Sequence, residues 1–359
     1  MRAHPAGSAT FLRVVFPALP FLSSGASRFA FLSLFAATLL LACTCVRAQE
    51  NLIRPVEILA SPIVSFRIAD PESRFGSLRF VGGLQLQSDD KQFGGFSGIR
   101  LLPDRHRFIA VTDAGQWLAG RIDRDPAGLP RGLTDTVMGS LLSPDAGFIA
   151  RKLDGDCEGL AIDGDRIFLS FERNDRIEMM KLANGLPVAG SAEKFADLNR
   201  LHLSMNKGIE ALAHFPAGSP FAGALLAISE ESLNRQRNIR AFFLDGETTS
   251  ELAFQRDGDF AITDAEFLPS GDLLILERAY SVRKGQAMRL RHVPAGEIAK
   301  GATAKGSILL SADKSYWIDN MEGLDISAAE DGSVHLTLIS DDNFSALQRT
   351  LLLEFVLER

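Results

Sequence analysis

The sequence predicts an all-β fold, a β-propeller of five blades. Three observations predict it: a motif that returns five times, turn signals that cut each repeat into short apolar strands, and strand-like segments at the two ends that can complete one blade between them.

The motif is a small or acidic residue, then Gly or Ala, then an aliphatic residue or Phe, then a turn, an apolar strand and further acids. It occurs as Ser97-Gly98-Ile99 running to FIAVTDAG at 108–115, and as Glu158-Gly159-Leu160 running to IFLSFERN at 167–174. It recurs as Glu210-Ala211-Leu212 with LLAISEES at 225–232, Asp264-Ala265-Glu266-Phe267 with LLILERAY at 273–280, and Glu322-Gly323-Leu324 with LTLISDDN at 336–343. Successive starts lie 61, 52, 54 and 58 residues apart, a spacing suited to propeller blades. Each unit continues into a third strand-like segment: QWLAGRI, RIEMMKL, NIRAFFL, AMRLRHV and TLLLEFVL. A weaker fourth follows in places, as in SELAFQRD and KGSILLSAD. Asp163-Gly164, Asp245-Gly246, Pro269-Ser270-Gly271-Asp272 and Asp331-Gly332 supply the reversals between strands.

The last unit runs out after three strands, at Leu357, and the segment SLRFVGGLQLQ at 77–87 precedes the first unit. Pairing the two closes the ring and removes its free edges. Residues 52–68 hold further strand-like sequence, which leaves six blades as the alternative; a β-solenoid is the competing architecture.

At the front, FAFLSLFAATLLLA follows Arg28 with no acidic residue before it. The run is shorter than the roughly 20 apolar residues that span a bilayer and reads as the apolar core of an export signal cleaved after Val46-Arg47-Ala48. Leu40-Leu41-Ala42-Cys43 offers a competing lipoprotein route, with Cys43 as a lipid anchor. The chain thus divides into a signal at 1–48, a lead-in at 49–74 and the propeller at 75–359. The expected location is periplasmic or secreted, with no transmembrane span in the mature chain. Removing the signal leaves 34 basic against 45 acidic residues, a mature charge of −11. That balance disfavours nucleic acid as a partner. Cys157 is the one cysteine outside the signal, so neither a disulfide framework nor a cysteine metal knuckle is expected.

A hairpin returns to the level at which it began, so acids at the start of one strand and the end of the next share one mouth of the channel. This logic groups Glu158 with Glu172, Glu210 with Glu230 and Glu231, Asp264 and Glu266 with Glu277, and Glu322 with Asp341 and Asp342; Ser97 replaces the leading acid of the first unit, with Asp113 opposite. Carboxylates so gathered repel unless protonated or bound to cations, and oxygen ligands without a Cys or His cluster favour Ca²⁺. The expected metal ligands are Glu158, Glu172, Glu210, Glu231, Asp264, Glu277, Glu322, Asp341 and Asp342, with Glu158, Glu210, Glu266 and Glu322 as catalytic candidates. The alternative for each acid is a hydrogen bond from a backbone N–H of the next blade. Arg173, Arg235, Arg278 and Arg283 follow the acids closely and would grip a phosphate ester through bidentate donors; their alternative is ion pairing across blades. A nucleophilic serine centre is not indicated, since the sequence has neither a G-x-S-x-G elbow nor a P-loop.

The segments GDCEGLAIDGDRIFLSFERN, NKGIEALA with LLAISEES, ITDAEFLPSGDLLILERAY and NMEGLDIS with LTLISDDN resemble the bacterial phytase-like proteins, also described as having an esterase-like activity of phytase. The resemblance spans roughly residues 75 to 357 and implies phosphoesterase-type activity, with the repeated acids as the residues carried over. Ser97 departs from the acidic pattern. Two other functions remain open at this point: a non-catalytic propeller that binds a ligand or envelope partner around structural calcium, and a metal-dependent lactonase or carboxylic esterase.

Overall fold

The computed structural model describes residues 53–141, 155–245 and 249–358. The proposed signal and the lipidation site at Cys43 lie outside the described residues.

Five sheets follow one another along the chain, antiparallel except for a short parallel pairing of Thr249–Phe254 with Thr303–Ala304, and two short 3-10 turns, Asn199–Leu201 and Ala295–Glu297, are the helical elements among the described residues. Blade one runs outward from Phe96–Leu101 through Arg107–Thr112 and Gln116–Arg124 to Pro130–Ser140. Blade two starts at Cys157–Asp163, blade three at Ile209–His214, blade four at Ala261–Phe267 and blade five at Asn320–Ala328. Each innermost strand packs against the next, and the fifth packs back on the first, so the ring is closed.

Closure is made by the two ends of the chain. Leu78–Gln87 lies antiparallel to Thr350–Leu357, with Leu84 opposite Leu352 and Leu78 opposite Leu357. The lead-in forms no sixth blade. Arg54–Pro55 extends the outer edge of blade one, and Leu59–Ile63 extends that of blade five. The segment therefore straddles the seam at which the ring closes and covers two sheet edges with its own backbone.

Between each pair of neighbouring sheets lies one apolar layer, which gives five clusters in all. The strands of blades four and five, buried on both faces, read as near-continuous apolar runs such as LLIL and LLL, and their side chains interleave with Phe66, Phe80 and Phe355. Cys157 is fully buried in the layer between blades one and two, and burial pushes its thiol well above the usual range, as expected of a packing residue.

One irregularity repeats with the pseudo-fivefold symmetry. In every innermost strand a single residue is skipped by the ladder: Ser97, Glu158, Glu210, Thr263 and Glu322. Each is a β-bulge, a device that re-aims a side chain and bends its strand. The next position is Gly98, Gly159, Ala211, Asp264 or Gly323. A Cβ built at Gly159 would lie 2.6 Å from the Glu210 carbonyl oxygen, and one at Gly323 would lie 2.9 Å from the Ile99 nitrogen. The glycine after Glu158 and after Glu322 is thus required by how closely the inner strands approach one another.

Candidate functional site

The bulges define the upper tier of a site at one mouth. The lower tier is, on each returning strand, the residue one beyond the partner of the position before the bulge: Asp113, Glu172, Glu230, Arg278 and Asp341. Nine of these ten positions line one cavity of about 280 Å³, all but Thr263, and Asn206, Lys207, Asn320 and Asn343 join them.

This register corrects the alignment of blade four. The sequence pattern set Asp264 and Glu266 beside the leading acids and Glu277 beside Glu172. The bulge falls one residue earlier, so Thr263 occupies the position of Glu158 and Arg278 that of Glu172. Thr263 donates its hydroxyl to the Met321 carbonyl, 3.0 Å away. Asp264 instead meets Arg100 across the axis, at 2.7 Å, and accepts the Leu324 N–H at 2.7 Å. Glu266 pairs with the Arg100 Nε at 2.9 Å. Arg100 also donates to the carbonyls of Ile99, Leu212, Leu324 and Ala265, so this guanidinium ties four of the five blades together beneath the cavity. Burial would lower its pKa, but the carboxylates of Asp264, Glu266 and Asp325 outweigh that and hold it charged. Glu277, fully buried, binds Arg289 at 2.5 Å and also Arg291, within its own blade. None of Asp264, Glu266 and Glu277 lines the cavity.

The remaining sequence candidates divide. Glu158, Glu172, Glu210, Glu322, Asp341 and Arg278 come together in the cavity. Glu231 lies beside it, paired with Arg256 and 3.7 Å from the Lys207 ammonium. Asp342 holds the mouth loop by accepting from Gly95, Phe344 and Thr350. Arg173 pairs with Asp156 at 2.7 Å at the edge of the site. Arg235 and Arg283 are exposed on the loops of blades three and four and do not line the cavity.

Sequence reasoning missed Asp156, Lys207, Asn320 and Asn343. Asp156 and Asn320 each stand two residues before a bulged glutamate, a spacing that places side chains on one face of extended chain. That was a readable signal. Lys207 was not, because its role depends on reaching Glu230 at 2.6 Å from a neighbouring loop.

Electrostatically the cavity is under-neutralised. Arg278 pairs with Glu322 at 2.8 Å and Glu230 at 3.4 Å, and the Asn320 amide donates to Glu322 at 2.7 Å. Glu172 accepts the Gly208 N–H of the next blade at 2.6 Å. One oxygen of Glu322 and one of Asp113 are buried without a hydrogen-bond partner. Burial, reinforced by Asp341 and Asp156, pushes Asp113 up to about 7. Burial raises Glu322 to about 8 against the pull of Arg278, and Asp341 to about 6. Glu158 and Glu210 are pushed well above the carboxylate range, first by burial and then by neighbouring acids. Asp156, Glu158 and Glu172 each offer one oxygen within 4.8 Å of the others. Three hard oxygen donors beside further unpaired carboxylates fit a divalent cation of the calcium type.

The sequence matches the family described as Phytase-like, "Esterase-like activity of phytase", over residues 91–344. The chain belongs to this family. The matched span begins just before the first innermost strand and ends just past Asp342, so it holds every cavity residue of the phytase-like propeller. The family description is of an ester-cleaving activity. No curated protein matches the sequence. Among solved structures, a glucose dehydrogenase is similar with a TM-score of 0.40 and 11% identity, over 77% of this chain and 98% of that one. A luciferin-regenerating enzyme is similar with a TM-score of 0.37 and 11% identity, over 74% of this chain and 92% of that one. Among the described residues no helix is long and apolar enough to cross a membrane.

Proposed function

We propose that the mouth cavity is the active centre of a calcium-dependent phosphoester hydrolase. The observation that carries this reading is the trio Asp156, Glu158 and Glu172, whose oxygens lie within 4.8 Å of one another at the edge of a cavity that Glu158 and Glu172 line and that holds unpartnered buried carboxylate oxygens. Bound there, calcium would offset the repulsion among the carboxylates and polarise a phosphoryl oxygen. Arg278 and Lys207 are the cationic side chains that line the cavity and would orient the remaining phosphate oxygens. Glu322, held protonated near neutral pH, would give its proton to the departing alkoxide oxygen. Glu210, buried between Glu158 and Glu230 in electrostatic terms, would accept the proton of the attacking water once calcium lowers the cost of its charge.

One observation favours a second reading, cleavage of a neutral carboxylic ester or lactone. Both cavity cations already pair with glutamates, so a phosphate dianion would enter a site with a surplus of negative charge.

Phosphate release from mono- and diesters, measured beside lactone and carboxylic-ester turnover, with calcium and with chelator, tests both. Calcium-dependent phosphate release supports the first reading. Ester or lactone turnover without phosphate release replaces it with the second, and binding without turnover of either class rejects both.

A further inference from the structure

We infer that the groove between the mouth loops of blades four and five is a subsite for an apolar or aromatic group of an anionic ester. The substrate class is then an ester with one bulky organic substituent, not a compact and many-charged phosphate. This inference rests on reading the adjoining cavity as a hydrolytic centre.

The groove measures about 690 Å³ and is lined by Tyr280, Tyr316, Ile318 and Leu347, with Lys314 and Arg349 among them. Arg278, Asn320 and Asn343 line both this groove and the acidic cavity, so the two spaces share a wall. Size divides the labour. At about 280 Å³ the cavity falls just below the range of roughly 300–1,000 Å³ occupied by organic ligands. It has room for an ion and a reacting ester group, while the groove has room for the rest of the molecule.

The apolar surface is placed where a ligand would need it. Leu347, on a mouth loop, is 94% exposed and Tyr280, near the end of strand Leu273–Ser281, is 63% exposed, although both line the groove. A leucine at a loop tip gains nothing from packing within the fold, and exposed apolar surface gathered around one groove marks a contact site. One wall is held firmly: the Arg349 guanidinium lies 5.2 Å from the centre of the Trp317 ring and 3.2 Å from the Asp319 carboxylate. Charge adds an orientation. Arg278 at the junction and Lys314 on the rim give the groove a positive edge beside an acidic cavity, so the anionic end of the ligand sits at that edge and the apolar body between the loops. A ligand charged on every face has no surface to set against Tyr280 and Leu347.

The test is calorimetric titration of the protein, in calcium, with naphthylmethylphosphonate and with methylphosphonate, neither of which contains a hydrolysable ester. The naphthyl compound is expected to bind about tenfold more tightly, equivalent to about 1.4 kcal/mol. Leu347→Ser and Tyr280→Ala should each remove most of that preference and leave methylphosphonate affinity unchanged. No binding of the naphthyl compound, equal affinities, or a preference that survives both substitutions overturns the groove. Failure of the hydrolase reading looks different. Calcium-dependent turnover with no naphthyl preference overturns the groove alone, whereas a preference lost in both variants without any turnover supports the groove and rejects the hydrolase.

Discussion

Arg100 of the first blade and Asp264 of the fourth meet across the propeller axis at 2.7 Å, with side chains 3% and 1% exposed. The pair closes the channel beneath the mouth cavity, and its hydrogen bonds reach the inner strands of four blades. An ion pair in this position sets the register of the ring from its centre.

Removing one partner leaves the other charge buried and unmatched, which costs about 3–5 kcal/mol. Arg100→Leu and Asp264→Leu are each expected to lower the unfolding free energy, measured by urea denaturation, by that amount. The double variant should recover only part of the loss, because the Arg100–Asp264 pair is replaced by two apolar groups while Glu266 still loses its Arg100 partner. A double variant as unstable as the sum of the singles would contradict the pairing.

The bulge register separates two glutamates that the sequence pattern treats alike. Glu158→Gln should weaken calcium binding at least as much as loss of a residue that supports a metal ligand, roughly 10- to 100-fold, with turnover falling in step. Glu277→Gln should cost stability by loosening Arg289 and Arg291, yet leave the calcium midpoint unchanged. Calcium titration followed by melting temperature checks both. An equal shift of midpoint in the two variants would place Glu277 at the metal and refute the register.

Stability in chelator should fall as pH rises. Burial, helped by Asp341 and Asp156, lifts Asp113 from 3.8 to about 7, and burial lifts Glu322 from 4.5 to about 8 despite Arg278. Between those ordinary values and the raised ones the folded chain holds protons that the unfolded chain has released. The stabilisation is complete below the unfolded values and disappears as pH climbs through the folded ones. Melting temperature in chelator is therefore expected to drop between about pH 5 and pH 8, and calcium should flatten the slope. A profile that rises across this range in chelator would show that the cavity carboxylates are not the groups in control.

Gly159 is required by its neighbour. An added Cβ would lie 2.6 Å from the Glu210 carbonyl oxygen and from the Ser170 hydroxyl, forcing apart the inner strands of blades two and three at the cavity floor. Gly159→Ala is expected to cost about 1–3 kcal/mol, as overpacking does. Gly132→Ala, where a Cβ meets nothing within 4 Å, should be near neutral. Chemical denaturation of the two variants checks the contrast.

The sequence by itself determined the blades, because strand alternation, Asp-Gly reversals and a recurring motif are local signals that each unit carries in full. It also determined the closure of the ring, since the last unit lacked a strand that 77–87 could supply. Most of the cavity acids were legible for the same reason: a hairpin must return to its starting level, which gathers Glu158 with Glu172 and Glu322 with Asp341.

Only the tertiary structure decided which acids of blade four turn inward. A bulge shifts alternation by one residue, and nothing in ITDAEF states whether Thr263 or Asp264 is skipped. That choice follows from the opposite side of the ring, where Arg100 offers a charge that Asp264 can meet. The lead-in likewise found its place only when two finished blades presented edges for it to cover. Both outcomes depend on contacts between residues far apart in the chain, and local pattern holds no record of them.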